Sequence, residues 1–188
     1  MPTKKEPVKL KMEGIWWDKI YTKNLDGTET VVETKKTKNT IMDKLADFLA
    51  GLLLGESSFN VPTNTHGIGF HALGTGQVSW DSGGIPSPDK SNTVLDNEYW
   101  RQAPDIIEYI DDIGAVSISI TNRIRVKTTF DYGDANGQWI REQAIFGGDA
   151  NATLDTGHIV NIIRHAKIRK EDNIKLERYI QFNITITS

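Results

Sequence analysis

The chain of 188 residues contains no cysteine. This absence excludes disulfide bonds, thiolate metal sites and cysteine nucleophiles, and it fits assembly inside a cell. Long apolar runs are also missing, because the longest one, residues 41–55, includes three charged side chains and is too short to span a bilayer. Residues 1–14 are basic and lack the apolar stretch of a secretory signal, so we expect no signal peptide.

Net positive charge is absent as well, since the formal net charge is −3. No overall positive field attracts nucleic acid, so we expect neither nucleic acid nor a membrane as a partner. The charges are unevenly spread: residues 1–38 hold nine lysines and six acidic residues, whereas residues 89–112 hold seven acidic and two basic residues. Two solvated faces explain this distribution, and electrostatic matching between neighbouring subunits is the alternative.

Motifs that indicate enzymatic chemistry are incomplete in this sequence. GIGFHA at residues 67–72 matches the dinucleotide-binding pattern, but a polar loop precedes it and two glycines prevent the helix that must follow. Asp155-Thr156-Gly157 matches the catalytic tripeptide of aspartic proteases, but no apolar strand precedes it, and we interpret it as a turn that opens a strand. Residues 131–142 resemble a calcium-binding loop in which the acidic residues are out of register.

Histidines do not form a recognisable metal-binding pattern either. None of the four is spaced from another as His-x-His or His-x-x-x-His; they are His66, His71, His158 and His165. We therefore expect no enzymatic activity, no cofactor and no metal site.

The distribution of apolar residues predicts a mainly β protein. Residues 15–34 form two β-prone segments around Asp26-Gly27, a dipeptide typical of hairpin turns. In the second half of the chain, apolar and polar residues alternate over residues 116–130 and 177–188, which predicts strands there. Two further strands are predicted at residues 138–148, ended by two glycines, and at residues 158–168. The expected fold is an antiparallel β-sandwich or open barrel with an N-terminal hairpin and one amphipathic α-helix.

The helix is predicted over about residues 40–54, with Thr40 as its N-cap and Gly55 as its stop. We expect a helical turn at residues 93–101, and we interpret Gly74-Thr75-Gly76 as the corner between two strands. The apolar residues at helical spacing are Ile41, Leu45, Phe48, Leu49 and Leu52. The chain divides into an extended arm, residues 1–12, and a single β-rich domain, residues 13–188.

Five tryptophans are many for one domain. Trp16 and Trp17 are adjacent, so on a strand one faces the core and the other faces solvent. The other three lie near predicted turns, where core packing explains them and a protein or carbohydrate contact surface is the alternative. The candidate interface residues are these three and four lysines: Lys4, Lys5, Lys9, Lys11, Trp80, Trp100 and Trp139.

Several short motifs follow one another in a defined order along the chain. They are Ala72-Leu73-Gly74-Thr75-Gly76, Leu95, Asn97-Glu98, Arg101, Ile140-Arg141-Glu142 and Ile145-Phe146-Gly147. With these motifs and its terminal alternating strand, the chain resembles a broad group of tailed-bacteriophage virion proteins. It is also similar to the N-terminal attachment domain of phage tail-collar fibre proteins. The likeness extends from about residue 15 to the end of the sequence.

The resemblance implies a structural component of the virion that has no enzymatic activity and is assembled in the host cytoplasm. Such a protein would be a tail, baseplate or collar adaptor or attachment protein that forms a homo-oligomer. Its partners would be other virion proteins and copies of itself. Because the sequence ends directly after the last predicted strand, we expect a compact unit without a fibre shaft. The alternatives are a capsid decoration (cement) protein and a carbohydrate-binding module.

Overall fold

A computed structural model describes the backbone of residues 9–54 and 67–187 and the side chains of residues 9–52 and 67–185. Within this part of the chain there are eleven strands and two helices. The strands are β1 (Lys9–Lys23), β2 (Glu29–Glu33), β3 (Thr37–Lys38), β4 (Thr40–Ile41), β5 (Ile68–Gly74), β6 (Glu98–Gln102), β7 (Ile106–Tyr109), β8 (Arg123–Phe130), β9 (Gln138–Gly147), β10 (His158–Lys170) and β11 (Ile174–Thr187). The helices are α1 (Lys44–Leu54) and α2 (Trp80–Gly83).

The strands form two antiparallel sheets that pack face to face as a β-sandwich, which confirms the predicted fold class. The six-stranded sheet has the order β2-β1-β11-β8-β7, with β3 also paired to β1. The five-stranded sheet has the order β4-β10-β9-β5-β6. The two longest neighbours, β1 and β11, pair along nearly their whole length and form the centre of the larger sheet.

The predicted N-terminal hairpin is also confirmed. Lys23 of β1 lies opposite Glu29 of β2, and the backbone N–H of Asn24 donates to the carbonyl of Thr28 at 2.8 Å. Gly27 in the turn has a φ of 83°, a left-handed conformation that glycine adopts without a steric penalty.

The core between the sheets is built from alternate residues of the facing strands. Trp16, Val126 and Ile180 of the larger sheet contact the same apolar cluster as Ile145 of the smaller sheet and Phe48 of α1. The helix therefore packs its apolar face, with Leu45 and Phe48, against the core between the sheets.

The five-stranded sheet is buried on both faces. On its outer face, Ala144 and Phe146 of β9 pack with Leu95, which belongs to the long connection between α2 and β6. Strand β9 is thus covered from both sides along most of its length, and this explains why several of its polar side chains are buried.

The start of the predicted helix was wrong. Thr40 and Ile41 form β4 and pair with Asn161 and Ile162 of β10, so Thr40 is not an N-cap. Helix α1 begins at Lys44, after the chain has completed the edge of the five-stranded sheet. A β-branched pair beside an open strand edge favours the ladder over the first helical turn.

Two other predicted elements differ from the structure. The strand predicted at residues 116–130 is limited to β8. On one side β7 ends at Tyr109, opposite Ile124, and on the other side the ladder with β11 ends at Arg123; residues 116–122 form only an isolated bridge between Val116 and Ile110. Residues 93–101 do not form a helical turn, since β6 occupies their second half and continues to Gln102.

The predicted extended arm, residues 1–12, is only partly described by the structure. Residues 9–12 of the predicted arm belong to strand β1, and residues 1–8 lie outside the described residues. Residues 56–66, whose composition is typical of a loop, lie outside the described residues too.

Candidate functional site

The motifs that carry the resemblance meet at one place on the five-stranded sheet. The backbone N–H of Thr75 donates to the carbonyl of Asn97 at 2.9 Å, and the Asn97 amide donates to Thr75 Oγ1 at 2.6 Å. The backbone N–H of Asn97 donates to Glu142 Oε1 at 3.0 Å. Gly74 lies so close to the Glu142 side chain that a Cβ atom would collide with it. Three motifs that are distant in the sequence therefore contact one another.

The glycine-rich turn itself differs from its interpretation as a corner between two strands. It follows β5 and leads into α2, and the next strand, β6, comes only after a long connection. Gly76 has a φ of 60° and faces the Trp80 ring so closely that no side chain fits there. The turn leads the chain from β5 into α2, whose Trp80 ring packs on Gly76.

A buried ion pair holds the turn that precedes β10. Glu98 and Arg101 are fully buried and lie 2.5 Å apart between Oε1 and Nε. Arg101 Nη1 also donates to the carbonyls of Asn151 and Thr156, at 2.9 and 3.0 Å, and Glu98 Oε2 accepts from the backbone N–H of Asp155 at 3.1 Å. The Asp-Thr-Gly tripeptide is therefore a turn whose backbone this pair fixes, as the sequence predicted.

Two further arginines anchor the connection between β5 and β6. Arg141 Nη2 donates to both carboxylate oxygens of Asp81 at 2.9 Å. Arg164 Nη2 donates to Asp96 at 2.5 Å, and its guanidinium lies 4.9 Å from the centre of the Trp80 ring. Together with the Glu98–Arg101 pair, these contacts place the charged motif residues in structural roles inside the chain.

The tryptophans predicted as an interface are not exposed together. Trp80 is only 7% exposed, and Trp100 is half-buried against a core cluster that includes Leu73. Trp139 is 41% exposed, but two cationic side chains lie within 5.5 Å of its ring centre. Trp80 thus offers no contact surface, because its ring is used to pack the connection against the sheet.

The remaining predicted interface residues are the four lysines. Lys9 and Lys11 are exposed on β1, and Lys11 forms an ion pair with Glu13 at 2.8 Å. Lys4 and Lys5 lie outside the described residues. Of the four lysines, the structure therefore describes only Lys9 and Lys11.

The expectation that either Trp16 or Trp17 faces solvent was wrong. Both are buried, although they point to opposite faces of β1. Trp17 is covered on the outer face by Tyr179, whose ring stacks on it at 5.1 Å, and by Lys36, whose ammonium lies 4.5 Å from its ring centre. Neighbouring side chains on the same outer face provide cover that alternation alone does not predict.

A row of polar side chains crosses the interior of the sandwich, and the sequence patterns did not predict it. Asp18, Arg178 and Thr128 lie side by side on adjacent strands of the six-stranded sheet, all fully buried. Arg178 Nη2 donates to Asp18 Oδ2 at 3.2 Å and to His165 Nε2 at 2.8 Å. The signal was present in the sequence, because Asp18 and Arg178 occupy positions that alternate in phase with buried apolar residues.

His71 of the opposite sheet completes this polar row. Its ring nitrogens lie 2.9 Å from Thr128 Oγ1 and 2.7 Å from Gln143 Oε1. Burial and the nearby charge of Arg178 lower the pKa of His71 to about 3, and they lower the pKa of His165 to about 3 as well. Both imidazoles are therefore neutral at physiological pH. A two-residue slip of β1 against β11 would separate Asp18 from Arg178, so the polar row helps to define the register of these two strands.

Exposed aliphatic side chains are concentrated on residues 111–122, which we call the apolar arm. The side chains of Ile113, Val116, Ile118 and Ile120 are 86%, 60%, 104% and 84% exposed. Single exposed aliphatic residues are common on protein surfaces, but a cluster of four on one segment is typical of an interaction site.

The backbone of the apolar arm is nevertheless ordered. Asp111 Oδ1 accepts hydrogen bonds from the backbone N–H groups of Ile113 and Ala115, at 3.0 and 2.8 Å. Thr121 Oγ1 donates to the carbonyl of Ile110 at 2.8 Å, and the backbone N–H of Ser117 donates to Tyr109 at 2.8 Å. These bonds tie both ends of the arm to the sheet, so its aliphatic side chains are held in solvent by a defined structure.

An apolar groove lies beside the start of β1, at the same end of the sandwich as the arm. Its volume is about 590 Å³. The backbone N–H of Ile184, which lines the groove, donates to the carbonyl of Asn122 at the foot of the arm at 2.9 Å. The residues that line the groove are Leu10, Lys11, Met12, Ile41, Met42, Asp43, Leu45, Ala46, Leu49, Lys90 and Ile184.

Comparisons of the chain with family models, curated proteins and solved structures find no match. Among residues 9–54 and 67–187, no three His, Cys, Asp or Glu side chains are grouped so that they could hold a metal ion. No helix in that part of the chain is long and apolar enough to cross a membrane.

Proposed function

We propose that this chain is a structural component of a tailed-bacteriophage virion. In this proposal it is a tail, baseplate or collar adaptor or attachment protein, and it binds copies of itself and other virion proteins. The order of the sequence motifs directs the proposal to the virion. The observation that carries the assembly role is the apolar arm, whose four aliphatic side chains are exposed on an ordered backbone.

The free-energy cost of the exposed arm supports assembly. Burying one aliphatic side chain of this size is worth about 1.5–3 kcal/mol, so four such residues represent a substantial driving force for association. An exposed patch of this kind on an otherwise well-packed domain is typical of a surface that a protein partner covers.

The motif cluster supports a structural role over a catalytic one. A general acid or base must lie within hydrogen-bonding reach of a substrate, whereas Glu98 and Arg101 are fully buried and bond to the backbone of a turn. Glu142 accepts a hydrogen bond from the chain itself. We therefore propose no enzymatic activity.

The proposal is tested by removing the gene from a phage that encodes this chain and imaging the particles by negative-stain electron microscopy. We expect incomplete or non-infectious particles, and we expect a plasmid that supplies the full chain to restore them. Normal particles with normal infectivity would contradict the proposal.

Capsid decoration is the alternative location within the virion, and the copy number distinguishes the two. Quantitative mass spectrometry of purified virions should give a small number that matches a cyclic ring if the protein belongs to the tail or collar. A copy number on the order of hundreds would instead indicate a decoration protein on the capsid lattice.

A carbohydrate-binding module was the alternative from another functional class. It rested on three tryptophans near turns, and only Trp139 is substantially exposed. The arrangement of Trp80 beneath Arg164 favours packing over sugar stacking. We therefore place this function below the assembly role, and a glycan array with wild-type protein and the Trp139→Ala variant tests it.

A further inference from the structure

We propose that the apolar arm of one copy lies in the apolar groove of a second copy, and that the two copies exchange arms reciprocally about a two-fold axis. This inference rests on the proposed assembly role and names its direct partner. Two complementary surfaces of this chain carry it.

The first argument is the match in polarity. The arm presents Val116, Ile118 and Ile120 as three strongly exposed aliphatic side chains within five residues, around a bend at Ile118 and Ser119. The groove offers mainly aliphatic and methionine side chains in a volume of about 590 Å³. Volumes of about 300–1,000 Å³ are typical of sites that enclose most of a bound group.

The second argument is the match in charge. Asp111 and Asp112 lie at the start of the arm, and no lysine or arginine occurs between them and Asn122. The groove lining has two lysines against a single carboxylate, Asp43: Lys11, which forms an ion pair with Glu13 beside the groove, and Lys90. An acidic, aliphatic segment therefore meets a basic, aliphatic groove, which favours this pairing over the approach of two grooves or two arms.

The third argument is position. The foot of the arm and the groove are adjacent, because Asn122 accepts a hydrogen bond from Ile184. A two-fold axis that passes close to this contact brings the arm of each copy over the groove of the other. One such axis satisfies both arms and both grooves, as a closed dimer requires.

The experiment measures self-association of the full chain by sedimentation equilibrium. We expect the wild-type protein to dimerise and Ile118→Asp to weaken the dimer by about 100-fold or more, because each arm would carry a charge into an apolar groove. Leu25→Asp is the matched control, since Leu25 is fully exposed in the hairpin turn at the other end of β1. Thermal unfolding of both variants should stay close to that of the wild type.

A charge exchange tests which surface receives the arm. Asp112→Lys and Lys90→Glu should each weaken self-association by about tenfold, because like charges then face each other at both contacts. A mixture of the two variants should form a heterodimer with wild-type affinity, since each of its two contacts again pairs opposite charges. Mixing can restore association only if the arm of one copy contacts the groove of another copy.

Each remaining outcome overturns the inference. A wild-type chain that stays monomeric at all concentrations removes the second copy as occupant of the groove. If the dimer tolerates Ile118→Asp as well as it tolerates Leu25→Asp, the arm is not part of the dimer interface. If mixing the two charge variants does not restore association, the groove is not the surface that receives the arm. All these results leave the virion role open to its own test, because gene removal and particle imaging do not depend on which surfaces meet.

Discussion

Lowering the pH should destabilise the folded protein through His71. In the folded chain the pKa of His71 falls from 6.5 to about 3, because the ring is fully buried and the charge of Arg178 lies nearby. Below pH 6.5 the unfolded chain binds a proton that the folded chain does not bind until about pH 3. The stability that a neutral His71 contributes is therefore complete above pH 6.5 and is lost progressively as the pH falls toward 3.

The size of this effect follows from the two pKa values. A pH of about 5 lies about 1.5 units below the pKa of the histidine in the unfolded chain. Each unit is worth about 1.4 kcal/mol, so the free energy of unfolding falls by about 2 kcal/mol. His165, whose pKa is also about 3, acts in the same direction. Burial raises the pKa of Asp18 and of Glu142, so these carboxyl groups act in the opposite direction.

A variant isolates the contribution of His71 from these other groups. His71→Gln keeps a polar side chain at the position and removes the titrating group. Urea unfolding followed by tryptophan fluorescence gives the free energy of unfolding for both proteins between about pH 8 and about pH 5. We expect the wild-type value to fall about 2 kcal/mol more than the value for the variant over this range.

The test depends on how steeply the free energy of unfolding changes with pH in the wild type and in His71→Gln. A lower stability of His71→Gln at every pH reflects lost packing and hydrogen bonds and leaves the expected difference in slope intact. If the two proteins show the same dependence on pH, His71 is not a neutral, buried imidazole, and the reasoning about the polar row is wrong.

Three other predictions concern stability and are checked by urea or thermal denaturation. Asp18→Asn leaves the fully buried guanidinium beside it without a charge partner and should lower the free energy of unfolding by about 3–5 kcal/mol; a change below about 1 kcal/mol would contradict a buried ion pair. Trp80→Ala should cost about 3–5 kcal/mol because the ring is buried, whereas Trp139→Ala, at a more exposed ring, should cost clearly less; similar losses would show that burial was misjudged. Gly147→Ala places a Cβ against a backbone carbonyl and should cost about 1–3 kcal/mol, while Gly133→Ala meets no atom within 4 Å; equal stability of this pair would refute the close approach at Gly147.

Local patterns in the sequence were sufficient to predict most strands. Residues of β8 and β11 alternate in polarity, and the Asp26-Gly27 turn lies between two β-prone segments. Alternation and turn chemistry depend on neighbours along the chain, so they can be read without knowledge of the fold. The same holds for the turn at Asp155-Thr156-Gly157.

The candidate assembly surfaces were not predictable in this way. Residues 116–122 alternate as regularly as β8 does, and the sequence analysis therefore placed Val116, Ile118 and Ile120 on a buried face. In the structure these side chains are exposed, because β7 ends at Tyr109 and the ladder between β8 and β11 ends at Arg123, so no strand pairs with this part of the arm on either side. Conversely, Trp17 is covered by Tyr179 and Lys36, which come from other segments of the chain.

The sequence by itself determined where the chain extends, where it turns and which side chains share a face. Only the tertiary structure decided which of those faces are covered, which charges of the motifs find partners inside the chain, and that Asp18, Arg178 and His71 meet in the interior. The physical reason is that strand periodicity arises from the local backbone, whereas burial and pairing depend on residues that approach from distant parts of the sequence.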